Sequence, residues 1–204
     1  MSYLREIAPE SARGDVQRMY QRQASRLGYV PNYARIFCHR PDLMELWSDL
    51  LTGIRRDIAA ERFELVTLAA ALALRNSYCS LAHGQTLAGL RSAEAVRSAL
   101  EGSDSTLSAV DAALVRFARK VATDAAAVTA RDVAELRTHG LSDPEIFDVV
   151  AVVAARAFFT RVLDGLGVLP DAAYHDLDPG LLDLLTVGRP IEAAPADQPV
   201  AAPA

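Results

Sequence analysis

A chain of 204 residues with 51% hydrophobic side chains can bury a sizeable core without disulfides or a structural metal. Its formal net charge of −5, with basic residues set beside acidic ones as in Arg55, Arg56 and Asp57, excludes a general phosphate-binding surface and argues against nucleic acid as a partner. The first ten residues lack the apolar core of a secretory signal, and Arg75, His83 and Arg156 interrupt the two longest apolar runs, so a cytoplasmic chain that does not span a membrane is expected.

In chain order, residues 1–40 read as a lead-in and a first helix over 15–27 that ends near Gly28, with Tyr29, Val30 and Pro31 as a connector. Residues 41–189 read as the main helical domain. Pro41 suits a first helical turn, and Leu43, Leu46, Trp47, Leu50 and Leu51 supply the apolar face behind it. A long helix follows over 58–74, with Glu61, Arg62 and Glu64 in its polar first turns. Arg75, Asn76 and Ser77 mark a bend. The next helix covers 77–90, capped by Asn76 or Ser77, which places Cys79 in its first turn. A short helix over 93–100 precedes the breaker run at 101–105. Helices over 107–127 and 130–139 follow, the second stopping at Gly140. Ser142 or Asp143 caps a long helix over 144–166, and a last short turn covers 181–185. Residues 190–204, rich in Pro and Ala, are expected to be a mobile tail. The Ala-, Leu- and Val-rich composition suits closely packed helices, so the predicted class is all-α, built from packed helical hairpins.

A faint internal repeat lies at an offset of 81 residues. The segment starting at Glu64 overlays that starting at Glu145, matching Arg75 to Arg156 and Gly84 to Gly165. Chance similarity between Ala-rich helices competes with true duplication. Cys79 maps onto Thr160 and His83 onto Asp164, so any chemistry they share is not duplicated.

The sharpest chemical feature is Cys79 followed by His83 at i+4, which puts both on one helix face. A neutral imidazole can take the thiol proton, and the imidazolium then favours the thiolate, the reactive form. Free backbone N–H groups at the helix start would add to that effect. Structural packing is the ordinary alternative for such a pair. Glu64 is a third candidate: if packing brings it to His83, its carboxylate can orient the ring and stabilise its protonated form. A solvent-exposed glutamate is the alternative there. Cys38 and Cys79 are the sole cysteines, too few for a disulfide framework and in keeping with a reducing compartment.

Glu64, the segment from Asn76 to Gly84 containing Cys79 and His83, and the surrounding apolar helices resemble the alkylhydroperoxidase D and carboxymuconolactone decarboxylase superfamily over roughly residues 40 to 170. The resemblance implies an alkylhydroperoxidase D-like helical fold and a homo-oligomer. In the peroxidase branch a Glu assists the His of a Cys-x-x-Cys-x-x-x-His motif. Carried over, Cys79 is the peroxide-reacting thiol, with His83 and Glu64 as its proton relay. This sequence departs from the motif at its first cysteine, where Asn76 stands. Without that thiol an internal disulfide cannot form, so turnover would need an external thiol reductant or Cys38 brought close. The decarboxylase side implies instead acid–base chemistry on a small organic acid, with Arg75 as a candidate for neutralising the substrate. A noncatalytic oligomer or ligand-binding protein is the third reading.

No cofactor and no metal is expected. His39, His139 and His175 are dispersed, and no phosphate loop or dinucleotide fingerprint occurs.

Overall fold

The computed structural model describes residues 2–100 and 107–194, and within them the chain is all-helical, with ten α-helices and no strand. These are α1 (Gly14–Leu27), α2 (Asn32–Ile36), α3 (Pro41–Arg55), α4 (Ala60–Ala73), α5 (Ser77–Leu90), α6 (Ala93–Leu100), α7 (Ala109–Asp124), α8 (Ala130–Thr138), α9 (Asp143–Gly165) and α10 (Pro179–Leu185). Short 3-10 turns occur at Pro9–Ser11, Phe37–His39, Ala125–Ala127 and Ala172–Asp176.

The ends of these helices follow their capping residues. Gly28 closes α1 with a φ of 83°, in the left-handed region that glycine tolerates. Ser142 and Glu145 form a reciprocal capping box at the start of α9, with Pro144 in its first turn. Tyr29, Val30 and Pro31 form the connector expected, and beyond it the chain adds α2 and a 3-10 turn, which bury Ala34, Ile36, Phe37 and Cys38.

Helix α4 is the centre of the packing. Every residue from Phe63 to Ala71 is buried, and the helix touches α5, α7 and α9. One face joins α7, α8 and α9 in an apolar cluster around Val66, Leu114, Phe117 and Val153. Another carries Leu65 and Leu68 against α5, α6 and α10. A third cluster forms at the end of α4, where Ala71 meets Tyr78 and Cys79 of α5, Phe159 and Leu163 of α9, and the N-terminal residues Met19, Tyr20 and Phe37.

The tail expected to be mobile from Pro190 is held at Glu192. Glu192 N–H donates to the Pro170 carbonyl at 2.9 Å, and Asn32 Nδ2 donates to Glu192 Oε2 at 2.8 Å. Residues 195–204, like the breaker run at 101–105, lie outside the described residues. No helix among the described residues is long and apolar enough to cross a membrane.

Candidate active site

The site is built on the α4–α5 hairpin. Helix α4 stops at Ala73, and Arg75 then takes a φ of 56°, the one positive value outside glycine among the described residues. Asn76 follows as the N-cap of α5. Its Oδ1 accepts from the Cys79 N–H at 2.8 Å, and its carbonyl accepts from Ser80 N–H at 3.1 Å and from Ser80 Oγ at 2.9 Å. Reversing the chain in this way returns the second turn of α5 to the early turns of α4.

Glu64 and His83 meet as a result, with Oε2 of Glu64 2.6 Å from Nδ1 of His83. Glu64 is buried, while the His83 side chain keeps 17% of its surface exposed. A carboxylate at Nδ1 fixes the tautomer of a neutral ring: the proton sits on Nδ1 and the Nε2 lone pair is free to accept another. Burial pushes the His83 pKa down and the Arg156 charge pushes the same way, against Glu64, so the ring is neutral near pH 7.

Cys79 lies deeper, at 2% exposure. Burial raises its pKa, and Arg156 opposes that rise. The contact is direct: Arg156 Nη1 donates to Cys79 Sγ at 3.4 Å. Among the described residues no hydrogen bond joins Cys79 Sγ to His83; what relates them is their i,i+4 placement on α5. The backbone N–H of Cys79, expected to help hold negative charge at the helix start, is instead taken by Asn76.

Arg156, read from the sequence as an interruption of an apolar run, is the buried cation beside Cys79. It is 2% exposed, sits inside α9, and lies over the rings of Trp47 and Phe159 at 5.7 and 5.8 Å. Its Nε has no partner, and no carboxylate among the described residues pairs with it. A guanidinium inside the run from Val149 to Phe159, which is otherwise apolar, was the available signal. Arg75, the cation suggested from sequence, is exposed and donates to the Val187 carbonyl at 3.4 Å.

Aromatic rings wall the inner side. Trp47 stacks on Phe159 with centroids 4.2 Å apart, and Tyr33 meets Phe159 edge-on at 5.6 Å. Cys38 is buried in the same apolar cluster as Cys79, and both are free thiols. The described residues contain no cluster of His, Cys, Asp or Glu suited to a metal ion.

The chain overlays 85% of its length on 94% of the crystal structure of an alkylhydroperoxidase AhpD core, an uncharacterized peroxidase-related protein from Ralstonia eutropha JMP134, with a TM-score of 0.72 and 23% identity. The fold is that of the alkylhydroperoxidase AhpD core. A peroxidase-related protein from Silicibacter sp. TM1040 has the same AhpD-like arrangement, at a TM-score of 0.71 and 20% identity over 85% of this chain and 91% of that one. So does a cysteine-to-alanine variant of the debrominase Bmp8, solved in complex with 2,3,4-tribromopyrrole, at a TM-score of 0.71 and 19% identity over 91% of this chain and 100% of that one. No protein-family model and no curated protein sequence matches the chain.

Proposed function

We propose that this AhpD-like chain reduces small peroxides through one reactive thiol, Cys79, with His83 and Glu64 as its proton relay and Arg156 as the cation that accompanies the thiolate. The observation that carries this reading is the meeting of two contacts in one place, Glu64 on Nδ1 of His83 and Arg156 on the sulfur of Cys79.

Neutral His83 takes the thiol proton while Glu64 holds the resulting imidazolium. The sulfur then attacks one peroxide oxygen: an S–O bond forms, the O–O bond breaks, and the departing alkoxide takes the proton from His83 to leave as an alcohol. Cys79 becomes a sulfenic acid. Asn76 cannot form the disulfide that a cysteine in its place would give, so an external thiol condenses with the sulfenic acid and releases water. A second external thiol frees Cys79 and departs as a disulfide. The partly exposed His83 lies on the solvent side of the buried sulfur, which suits a small substrate.

The test is peroxide consumption by the purified chain with a small dithiol, together with intact-mass mapping after brief peroxide exposure. Gain of oxygen at Cys79 and loss of turnover in Cys79→Ser are expected; normal turnover in that variant removes Cys79 from the mechanism.

The likeness to a debrominase, with the aromatic wall beside Cys79, favours a second reading on the same machinery. The thiolate would attack bromine on an aromatic ring, forming S–Br and breaking C–Br, and the ring carbanion would take the His83 proton. One external thiol would then displace bromide from the sulfenyl bromide to form a mixed disulfide, and a second would free Cys79 and depart as a disulfide. Bromide release from a bromopyrrole, without peroxide consumption, would select this reading over the first.

A further inference from the structure

A threonine inside a helix ordinarily gives its hydroxyl to a carbonyl one turn back. Thr52, Thr86, Thr123, Thr138 and Thr160 all do so. Thr67 in α4 does not: it is 0% exposed, and its Oγ1 has no partner. A buried hydroxyl without a hydrogen bond costs stability unless something comes to meet it. Thr67 follows Glu64 by three residues and precedes Ala71 by four, which sets all three on one side of α4. Glu64 meets His83 on that side, and Ala71 packs in the cluster of Cys79. The adjoining side, with Phe63, Val66 and Ala70, packs in the cluster that holds Val149, Val152 and Val153 of α9. Thr67 therefore faces the angle between α5 and α9. Arg156 enters the same angle from α9: its Nη1 is on Cys79 Sγ, and its Nε is likewise buried without a partner.

We propose that Thr67 Oγ1 and Arg156 Nε form the subsite that holds the hydroperoxide group of the substrate, which makes Thr67 a further catalytic residue. The inference rests on the peroxide-reducing reading of Cys79 and adds the groups that grip the substrate there. The chemistry of the two atoms selects the ligand. Nε–H donates, and a hydroxyl can donate as well as accept. The two oxygens of a hydroperoxide can accept from both. A bromopyrrole has no oxygen to offer them, and an anion would stand against Glu64. As the sulfur attacks the terminal oxygen, the S–O bond forms, the O–O bond breaks and its electron pair passes to the other oxygen. Nε–H and the Thr67 hydroxyl donate to that oxygen as its charge grows, and His83 gives it the proton.

Thr67→Val keeps the shape of the side chain and removes the hydroxyl. Two single-turnover rates at Cys79 test it in the full chain, oxidation by cumene hydroperoxide and alkylation by iodoacetamide, both followed by intact mass. The valine should slow oxidation by at least about tenfold, as loss of one donor to a developing oxyanion does, and leave alkylation within about twofold. Thr67→Ser should restore oxidation. Because the hydroxyl removed has no partner in the fold, the Tm of Thr67→Val should not fall, which separates a substrate contact from a structural one. Unchanged oxidation, or an equal loss in both rates, overturns the subsite and leaves the thiol reading in place. A wild-type Cys79 that peroxide does not oxidise overturns both. If circular dichroism shows that Thr67→Val does not fold, Thr67→Ala is put through the same two rates and their ratio decides.

Discussion

Arg156 is a cation at 2% exposure with an unpartnered Nε and no carboxylate beside it, a costly arrangement unless an anion arrives. The thiolate of Cys79 is the anion within reach. Near neutrality the resting site holds a neutral imidazole and a protonated thiol, because burial lowers the pKa of His83 and raises that of Cys79. The peroxide rate should therefore climb with pH as the thiolate forms. Arg156 lowers the Cys79 pKa, so Arg156→Met, which keeps the volume and removes the charge, should move that alkaline limb to higher pH. A shift of one unit would reduce the rate at pH 7 by about tenfold. The same change relieves His83 of a neighbouring charge that depresses it, so the acid limb should move upward too. Replacing a buried cation by a well-packed apolar side chain is often neutral for stability, which keeps the variant usable. Single-turnover rates across pH, followed by thiol loss, give both limbs; limbs that stay in place would remove Arg156 from the chemistry.

At the scale of the element, the site depends on a hinge whose conformation its sequence does not advertise. Arg75 holds a φ of 56° between α4 and α5, a region that disfavours side chains with a Cβ. Its own side chain is exposed and makes one long bond, to Val187. Arg75→Gly should thus raise stability by about 1 kcal/mol, a gain of ~2–4 °C in Tm, and leave turnover intact, as thermal melts and the peroxide assay can check. Lost activity there would instead return Arg75 to the site. Helix ends with side-chain or glycine caps, such as Asn76, Ser142 and Gly28, were legible in the sequence to within a residue or two. Placing Glu64 and His83 on adjacent helices was legible too, but their contact was not, since the hinge angle at Arg75 sets it. Helix α2 escaped notice because five residues carry no helical period; it is held by packing, with Tyr33 and Phe37 against Phe159. In α9 the apolar residues run round the whole helix, so nothing in the pattern separated the outward Phe147 from the inward Phe159, or marked Arg156 as turned toward a cysteine.

Across the whole molecule, the cluster around Cys79 is assembled from segments remote in sequence, so residues 1–40 contribute to the same core as the hairpin that carries the site. The tie between them is Asp171, at 5% exposure. It accepts from the Tyr78 hydroxyl at the start of α5, from the Tyr29 hydroxyl at 3.3 Å, and from the Asn32 N–H at 2.7 Å at the start of α2. Burial raises the Asp171 pKa, and these three donors oppose the rise. Tyr78→Phe keeps the ring and deletes one donor, together with the acceptor that Tyr33 N–H uses at 3.4 Å. The loss should be about 1–3 kcal/mol at pH 7, where the carboxylate is left charged and under-bonded. Its pH dependence has a definite sign. With Tyr78 gone the folded-state pKa of Asp171 rises further above its unfolded value, so the variant's deficit grows as pH rises through that window and shrinks below it, where the carboxyl is protonated. Urea melts of both chains at pH 7 and near pH 4 should show the gap narrowing in acid; a gap of constant size would place the loss in ring packing and release Asp171 from its role in joining the N-terminal segment to the helix of Cys79.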